Sequence, residues 1–217
     1  MRLNKPIPQL KIHKSKNMKS LKIFFIFSLA VLFINFTPKQ DHKPTLFTVG
    51  DSTVKNGKGK GAGGLWGWGD FIGQFLDTTK IKIENHALGG TSSRTFQDKG
   101  LWNVVLNKLK KGDYVLIQFG HNDDGPLNDS LRARGTIKGI GNETQEIDNI
   151  LTKKHETVHS YGWYIQKVIR EAKAKGAIPI VCSPIPRNDW KEGKVLRNDT
   201  SYGVWADQIA AKEKGRF

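Results

Sequence analysis

Apolar residues fall along this chain in four short runs: Leu46 to Val49, Ile81 to Ala87, Tyr114 to Phe119 and Ala177 to Cys182. Each run is bounded by turn-forming residues and is too short for a packed helix, so each reads as a buried strand. Longer stretches with helical spacing lie between them. In Leu101 to Lys110, the residues Leu101, Val104, Val105 and Leu109 share one face, and in Val158 to Lys175 the same holds for Ile165, Val168, Ile169 and Ala172. Gly112 and Gly176 follow these segments and predict carboxyl-terminal caps. Tyr202 to Lys214 is a third helix candidate, after which Arg216 and Phe217 would open a fifth strand. Strands alternating with helices predict an α/β fold with a parallel sheet. Between Asp123 and His155 the chain is polar, glycine-bearing and weakly periodic, which predicts a functional loop over a site or a flexible insert.

The chain divides unevenly. Residues 1 to 43 hold nine of the 35 basic residues and a single acid, so more than half of the net charge of +15 sits there. Within this segment Ile23 to Phe36 is an uncharged, mostly apolar run preceded by Lys19 and Lys22. It is short for a membrane span and suits a signal-peptide core or an amino-terminal anchor. Residues 44 to 217 are then expected to form one globular domain outside the cytoplasm, secreted or periplasmic. Their residual charge of +7 is too small to read the domain as a nucleic-acid binder, although it leaves a bias toward acidic partners. Cys182 is the only cysteine, so no internal disulfide can form.

In a doubly wound sheet, ligands bind outside the carboxyl ends of the strands. Three of the predicted strands end in residues that carry chemistry. Gly50, Asp51, Ser52 and Thr53 follow the first; Gly89, Gly90, Thr91, Ser92, Ser93 and Arg94 follow the second; Gly120, His121, Asn122 and Asp123 follow the third. A hydroxyl, a glycine backbone and an amide at one edge amount to a nucleophile with two oxyanion donors. Taken singly, Ser52 reads as a cap, Gly90 as a turn and Asn122 as a loop closure.

Together these residues resemble the SGNH or GDSL-type hydrolases, in the branch typified by rhamnogalacturonan acetylesterase. Gly50-Asp51-Ser52-Thr53 is similar to the first signature block, with Thr53 replacing the leucine of the wider family. Asn85-x-Ala87-x-x-Gly90 is similar to the second and Phe119-Gly120-His121-Asn122-Asp123 to the third, and the likeness runs over roughly residues 46 to 217. The resemblance implies a three-layer α/β/α doubly wound, flavodoxin-like fold. It also implies that Ser52 is the nucleophile, that Ser52 and Gly90 offer backbone N–H groups to an oxyanion, and that Asn122 offers its side-chain amide. Asp51 is read as a structural neighbour of the nucleophile. The activity implied is removal of acetyl groups from an acetylated plant cell-wall polysaccharide or oligosaccharide, of the pectic class, through an acyl-enzyme. No cofactor is expected, no nucleic-acid partner, membrane contact only through the amino-terminal segment, and a monomer.

The family's catalytic Asp-x-x-His pair does not occur in the sequence. The chain therefore reads as the shortened form of a longer esterase, lacking the last strand and the catalytic loop, and nearly inactive alone; a catalytically silent carbohydrate-binding remnant is the alternative. His155-Glu156-Thr157-Val158-His159 matches the zinc-protease pattern, which requires a helix to bring His155 and His159 to one face, with Glu156 activating water. Asn56 to Gly64 is glycine- and lysine-rich but lacks the Ser or Thr of a P-loop, and predicts a mobile loop beside the nucleophile. Trp66 and Trp68 are candidates for an aromatic wall, and Arg94, Arg132, Arg134 and Arg187 for contacts to acidic sugars. Cys182 is expected to be an inert buried thiol.

Overall fold

A computed structural model describes residues 42–196 and 201–217; the segment expected to direct export lies outside them. Four strands, β1 (Thr45–Gly50), β2 (Lys82–Asn85), β3 (Tyr114–Gln118) and β6 (Ile178–Val181), form a wholly parallel sheet in the order β2-β1-β3-β6. They are the four runs expected from the sequence, β1 extended by one residue at each end and the other three trimmed by one to three residues in all. Arg216 pairs in parallel with Ile180, so the chain at that point continues the sheet beyond β6.

The helices are α1 (Ser93–Asp98), α2 (Leu101–Lys108), α3 (Tyr161–Ala174) and α4 (Tyr202–Lys212). Phe47, Val49, Val115, Ile117 and Val181 of the strands pack with Phe96, Trp102, Val105, Ile165, Ile169 and Ile209 of the helices in one core. Leu46 and Ile83, opposite each other in register, belong to the other face of the sheet. There the β1-to-β2 connection contributes three short 3-10 turns between Ala62 and Phe75. Strand order explains the division. The chain steps one way from β1 to β2 and back across β1 to reach β3, and right-handed connections then lie on opposite faces.

Capping fixes where the helices begin. Ser92 accepts from the Thr95 N–H at 3.1 Å while Thr95 Oγ1 accepts from the Ser92 N–H at 2.9 Å, a capping box that starts α1 immediately after the second strand end. Ser160 caps α3, accepting from the Trp163 N–H at 3.1 Å. This is why the helix begins at Tyr161 and not at Val158, as helical spacing suggested. Gly176 closes α3 with φ +75, as expected, but Gly112 does not cap α2; its N–H reaches the Gly176 carbonyl instead.

The stretch from Asp123 to His155 is ordered in a way the sequence concealed. It contains β4 (Thr144–Asp148), paired antiparallel with β5 (His155–His159). Asn149 makes the connecting turn, its Oδ1 accepting from the N–H groups of Leu151 and Thr152.

Ile165, fully buried between α3 and the sheet, provides a test of the core. Ile165→Ala should cost about 2–5 kcal/mol, the usual penalty for opening a cavity of that size. Chemical denaturation should show a lower midpoint with an unchanged slope.

Candidate active site

The three strand ends meet at the carboxyl edge of the sheet. At the end of β1, a Cβ on Gly50 would fall 2.5 Å from the Gln118 carbonyl oxygen, so only glycine lets β1 and β3 approach this closely. The next residue, Asp51, is buried, and its Oδ1 accepts from the Thr53 N–H at 2.8 Å and lies 2.7 Å from Thr53 Oγ1. Its carbonyl accepts from the N–H groups of Val54 and Lys55. Residues 51 to 55 are thereby wound into one tight turn, with Ser52 half-buried near its apex. Asp51 is committed to holding this turn. Gln118 supports it from β3: its Oε1 accepts from Trp68 Nε1 at 2.7 Å and its amide donates to the Ser183 carbonyl at 2.7 Å.

The second strand end lies against the first. Asn85 Oδ1 accepts from Thr48 Oγ1 at 2.8 Å, and the Leu88 N–H donates to the Gly50 carbonyl at 3.0 Å. A methyl on Gly89 would stand 3.5 Å from Ser52 Cβ, and Gly90 adopts φ +84, a conformation that side chains resist. The third strand end holds this glycine turn from the other side. The Asn122 amide, 8% exposed, donates to the Thr91 carbonyl at 2.8 Å, and the N–H and Oγ of Ser93 donate to the Asp123 carboxylate at 3.1 and 2.5 Å. Arg134 adds a fourth tie, Nη1 to the Gly90 carbonyl at 2.8 Å. Ser52, Gly90 and Asn122 are therefore brought to one place. A side-chain amide nitrogen carries two hydrogens, and Asn122 places one on Thr91.

These residues lie within a stretch, 46–215, that matches the family model described as GDSL-like lipase/acylhydrolase. The chain belongs to that family. Among curated relatives it is 33% identical to a rhamnogalacturonan acetylesterase of Emericella nidulans, over 79% of this chain and 64% of the relative. It is 29% identical to the probable rhamnogalacturonan acetylesterase YesY of Bacillus subtilis, over 77% of this chain and 66% of that protein. The chain thus spans just under two thirds of the length of these relatives. Among solved structures it resembles the protein YXIM of Bacillus subtilis, with a TM-score of 0.57, 23% identity and coverage of 80% of this chain and 42% of that one. It also resembles a catalytic mutant of an acetylxylan esterase from Geobacillus stearothermophilus, with a TM-score of 0.52 and 19% identity over 80% and 74%. These structural likenesses establish the SGNH hydrolase fold.

The GDSL-like framework also corrects several expectations. Arg94, a candidate for sugar contact, is 1% exposed and faces inward. Its Nη1 donates to the carbonyls of Leu127 and Gly135 at 2.9 Å, and its Nη2 meets Glu156 Oε1 at 2.6 Å. Asn149 shares that carboxylate oxygen. The helix required by a zinc protease is absent from the His155–His159 segment, which is strand β5. Residues four apart on a strand are separated by about 13 Å. His155 instead bonds Asp148 Oδ1 at 2.8 Å and approaches Glu146 at 3.1 Å, His159 stacks on Trp163 at 3.8 Å, and Glu156 serves Arg94. No cluster of three metal-binding side chains occurs among the described residues. Trp68 is tied to Gln118, whereas Trp66 is 53% exposed. Cys182 is half-buried, and burial raises its thiol pKa above the ordinary value.

Asp123 went unnoticed as an anchor because its partner lies thirty residues away and only the fold joins them. Burial pushes its carboxyl pKa up to about 7, opposed by the bonds from Ser93 and reinforced by the charge of Asp51. An unfolded aspartate titrates near 3.9. The folded chain therefore holds a proton that the unfolded chain has lost between about pH 4 and 7. Asp123 contributes stability that is full below about pH 4 and disappears as the pH rises through 7. Asp123→Asn should flatten this part of the melting-temperature profile relative to the parent, measured by thermal denaturation from pH 4 to 8.

Proposed function

We propose that this domain is a carbohydrate acetylesterase acting on an acetylated pectic polysaccharide, with Ser52 as nucleophile. The observation that carries the reading is the convergence of the Ser52 turn and the Gly89–Gly90 turn with Asn122, side by side at the strand ends. The names of the curated relatives support a rhamnogalacturonan-type substrate. In this reading Ser52 Oγ attacks the acetyl carbonyl carbon and its proton passes to a base. The C–O bond to the sugar then breaks as the base returns that proton to the sugar oxygen, freeing the sugar hydroxyl and leaving an acetyl-serine that water hydrolyses to acetate and free Ser52. The tetrahedral oxygen collects negative charge, and the backbone N–H groups of Ser52 and Gly90, with the second amide hydrogen of Asn122, are the donors that offset it. The apolar run at residues 23 to 36 supports export of this enzyme.

The base is the remaining requirement. His86 bonds Glu84, His121 bonds the Ile185 carbonyl, His155 lies between Asp148 and Glu146, and His159 stacks on Trp163, so each of these imidazoles is engaged with a partner other than Ser52. A serine hydroxyl lacking a positioned base is a weak nucleophile at neutral pH, and residual catalysis on the order of 10³ to 10⁴ over water comes from binding and the oxyanion donors alone.

The 217 residues should accordingly cleave an activated acetyl ester such as 4-nitrophenyl acetate slowly, and added imidazole should accelerate them beyond its own background by acting as a base toward Ser52. Ser52→Ala should abolish this protein-dependent acceleration. Asn122→Ala should lower it by about 10² to 10³, the usual effect of losing one oxyanion donor. Unaltered acceleration in Ser52→Ala would eliminate Ser52 as the nucleophile.

A further inference from the structure

The glycine- and lysine-rich segment after Ser52 takes no part in the chemistry above, yet its base touches the nucleophile. The space that a methyl on Gly89 would occupy is bounded by Ser52 Cβ at 3.5 Å, the Lys55 carbonyl oxygen at 3.3 Å and the Gly57 nitrogen at 3.7 Å. The segment is pinned despite its glycines. The Lys60 N–H donates to Asp70 Oδ2 at 3.0 Å, and Asp70 Oδ1 is tied in turn to Asn85 of β2. Trp66 lies so tightly across Gly61 that a Cβ there would fall 2.1 Å from Cζ2, and its ring packs against Phe71 in a tilted arrangement with centroids 4.7 Å apart.

This pinned segment is a row of positive charge. Lys55, Lys58 and Lys60 fall within six positions, and no acid occurs between Asp51 and Asp70. Lys80, Lys108, Lys138 and Lys167 pair with acids, whereas among the described residues no carboxylate pairs with the exposed Lys58 or Lys60. The Arg134 guanidinium adds a cation at Gly90. Exposed cations on a segment whose base adjoins a reaction centre attract ligands that bear carboxylates and offer little to a neutral polymer. Fixing their backbone in advance lowers the ordering cost of binding.

We propose that Lys58 and Lys60 form a subsite for the carboxylates of uronic acid residues adjoining the acetylated sugar, which makes the domain selective for an acidic over a neutral polysaccharide. This deepens the esterase reading by assigning its substrate class to two residues. The carboxylates pair with the ammonium groups while the acetyl ester reaches Ser52.

Binding can be measured without turnover, by calorimetry or affinity electrophoresis of the full chain against de-acetylated rhamnogalacturonan, with neutral xylan and a DNA oligonucleotide as comparisons. Rhamnogalacturonan should bind at low salt and be released at about 0.5 M salt, since exposed ion pairs are screened over a few ångströms there. The double variant Lys58→Gln/Lys60→Gln should bind it at least tenfold more weakly. Lys110→Gln/Lys111→Gln removes the same charge at the opposite edge of the sheet and should change binding less than twofold. Equal loss in both double variants, equal binding of xylan, or stronger binding of DNA than of rhamnogalacturonan would overturn the subsite. Loss of Ser52-dependent ester cleavage with lysine-dependent binding intact would defeat the esterase reading and leave the subsite standing.

Discussion

Everything at the candidate site depends on how a turn containing two consecutive glycines is held still. Glycine sacrifices more conformational freedom on ordering than any other residue, and fixing one backbone position costs about 1–2 kcal/mol. A Gly89–Gly90 turn left to itself would sample many directions for its N–H groups. Here the carbonyls of Gly90 and Thr91 and the N–H of Ser93 are each occupied by a side chain from residues 122 to 134: Arg134, Asn122 and Asp123 respectively. The charged guanidinium of Arg134 makes a stronger bond than a neutral donor, as does the Asp123 carboxylate once the pH exceeds about 7. With its flanking peptides fixed, the Gly90 N–H has little freedom left. An oxyanion donor is effective when it is already aimed before charge develops.

The same arrangement carries an electrostatic cost. Asp51 and Asp123 are both buried beneath a site read as stabilising an anion, and their mutual repulsion is part of what raises the Asp123 pKa to about 7. Local donors absorb the charge of Asp51, whose oxygen sits against the backbone and hydroxyl of Thr53. Asp123 is satisfied by Ser93. One shell further out, Arg94 would be an expensive buried cation without Glu156, and breaking such a pair typically costs more than the pair itself contributes. Because Glu156 stands on β5 and Arg94 on α1, this requirement fixes the β4–β5 hairpin against the segment bearing the glycine turn. The hairpin is thus tied into the framework that supports the site.

Much of this was legible in the sequence, and the reasons for success and failure are physical. The parallel strands are buried and short, so their apolar runs stood out directly. Gly50, Gly90 and Gly176 were readable because close approach or positive φ leaves few other residues possible. The hairpin was concealed because β4 and β5 are mostly exposed and mix Glu, Thr and His with single apolar residues, which resembles a polar helix as much as a strand. Helical spacing ran past Ser160 for the same reason. Arg94 was misread since an arginine after a glycine turn is usually solvated, and the partner that buries it lies 62 residues on. Asp123, Arg134 and the support from Gln118 likewise act across tens of residues, where local pattern carries no information.

The geometry separates two tasks that are often treated as one. Among the described residues, the side-chain ties on the Ser52 turn and the glycine turn come from residues 48 to 134, with Ser183 holding Gln118, and none of them involves a histidine. Ser52, the Gly90 N–H and Asn122, the groups proposed for attack and for the oxyanion, are consequently ordered by the sheet edge itself. A base then has only to reach the Ser52 hydroxyl that this turn presents. Lys58 and Lys60 belong to the binding half of the site, because the segment bearing them is anchored through Asp70 and Asn85 to β2 and not through any proton-transfer group. Recognition of an acidic chain by these lysines is therefore anchored to the sheet through Asp70 and Asn85, apart from the ties that hold Asn122 and Gly90.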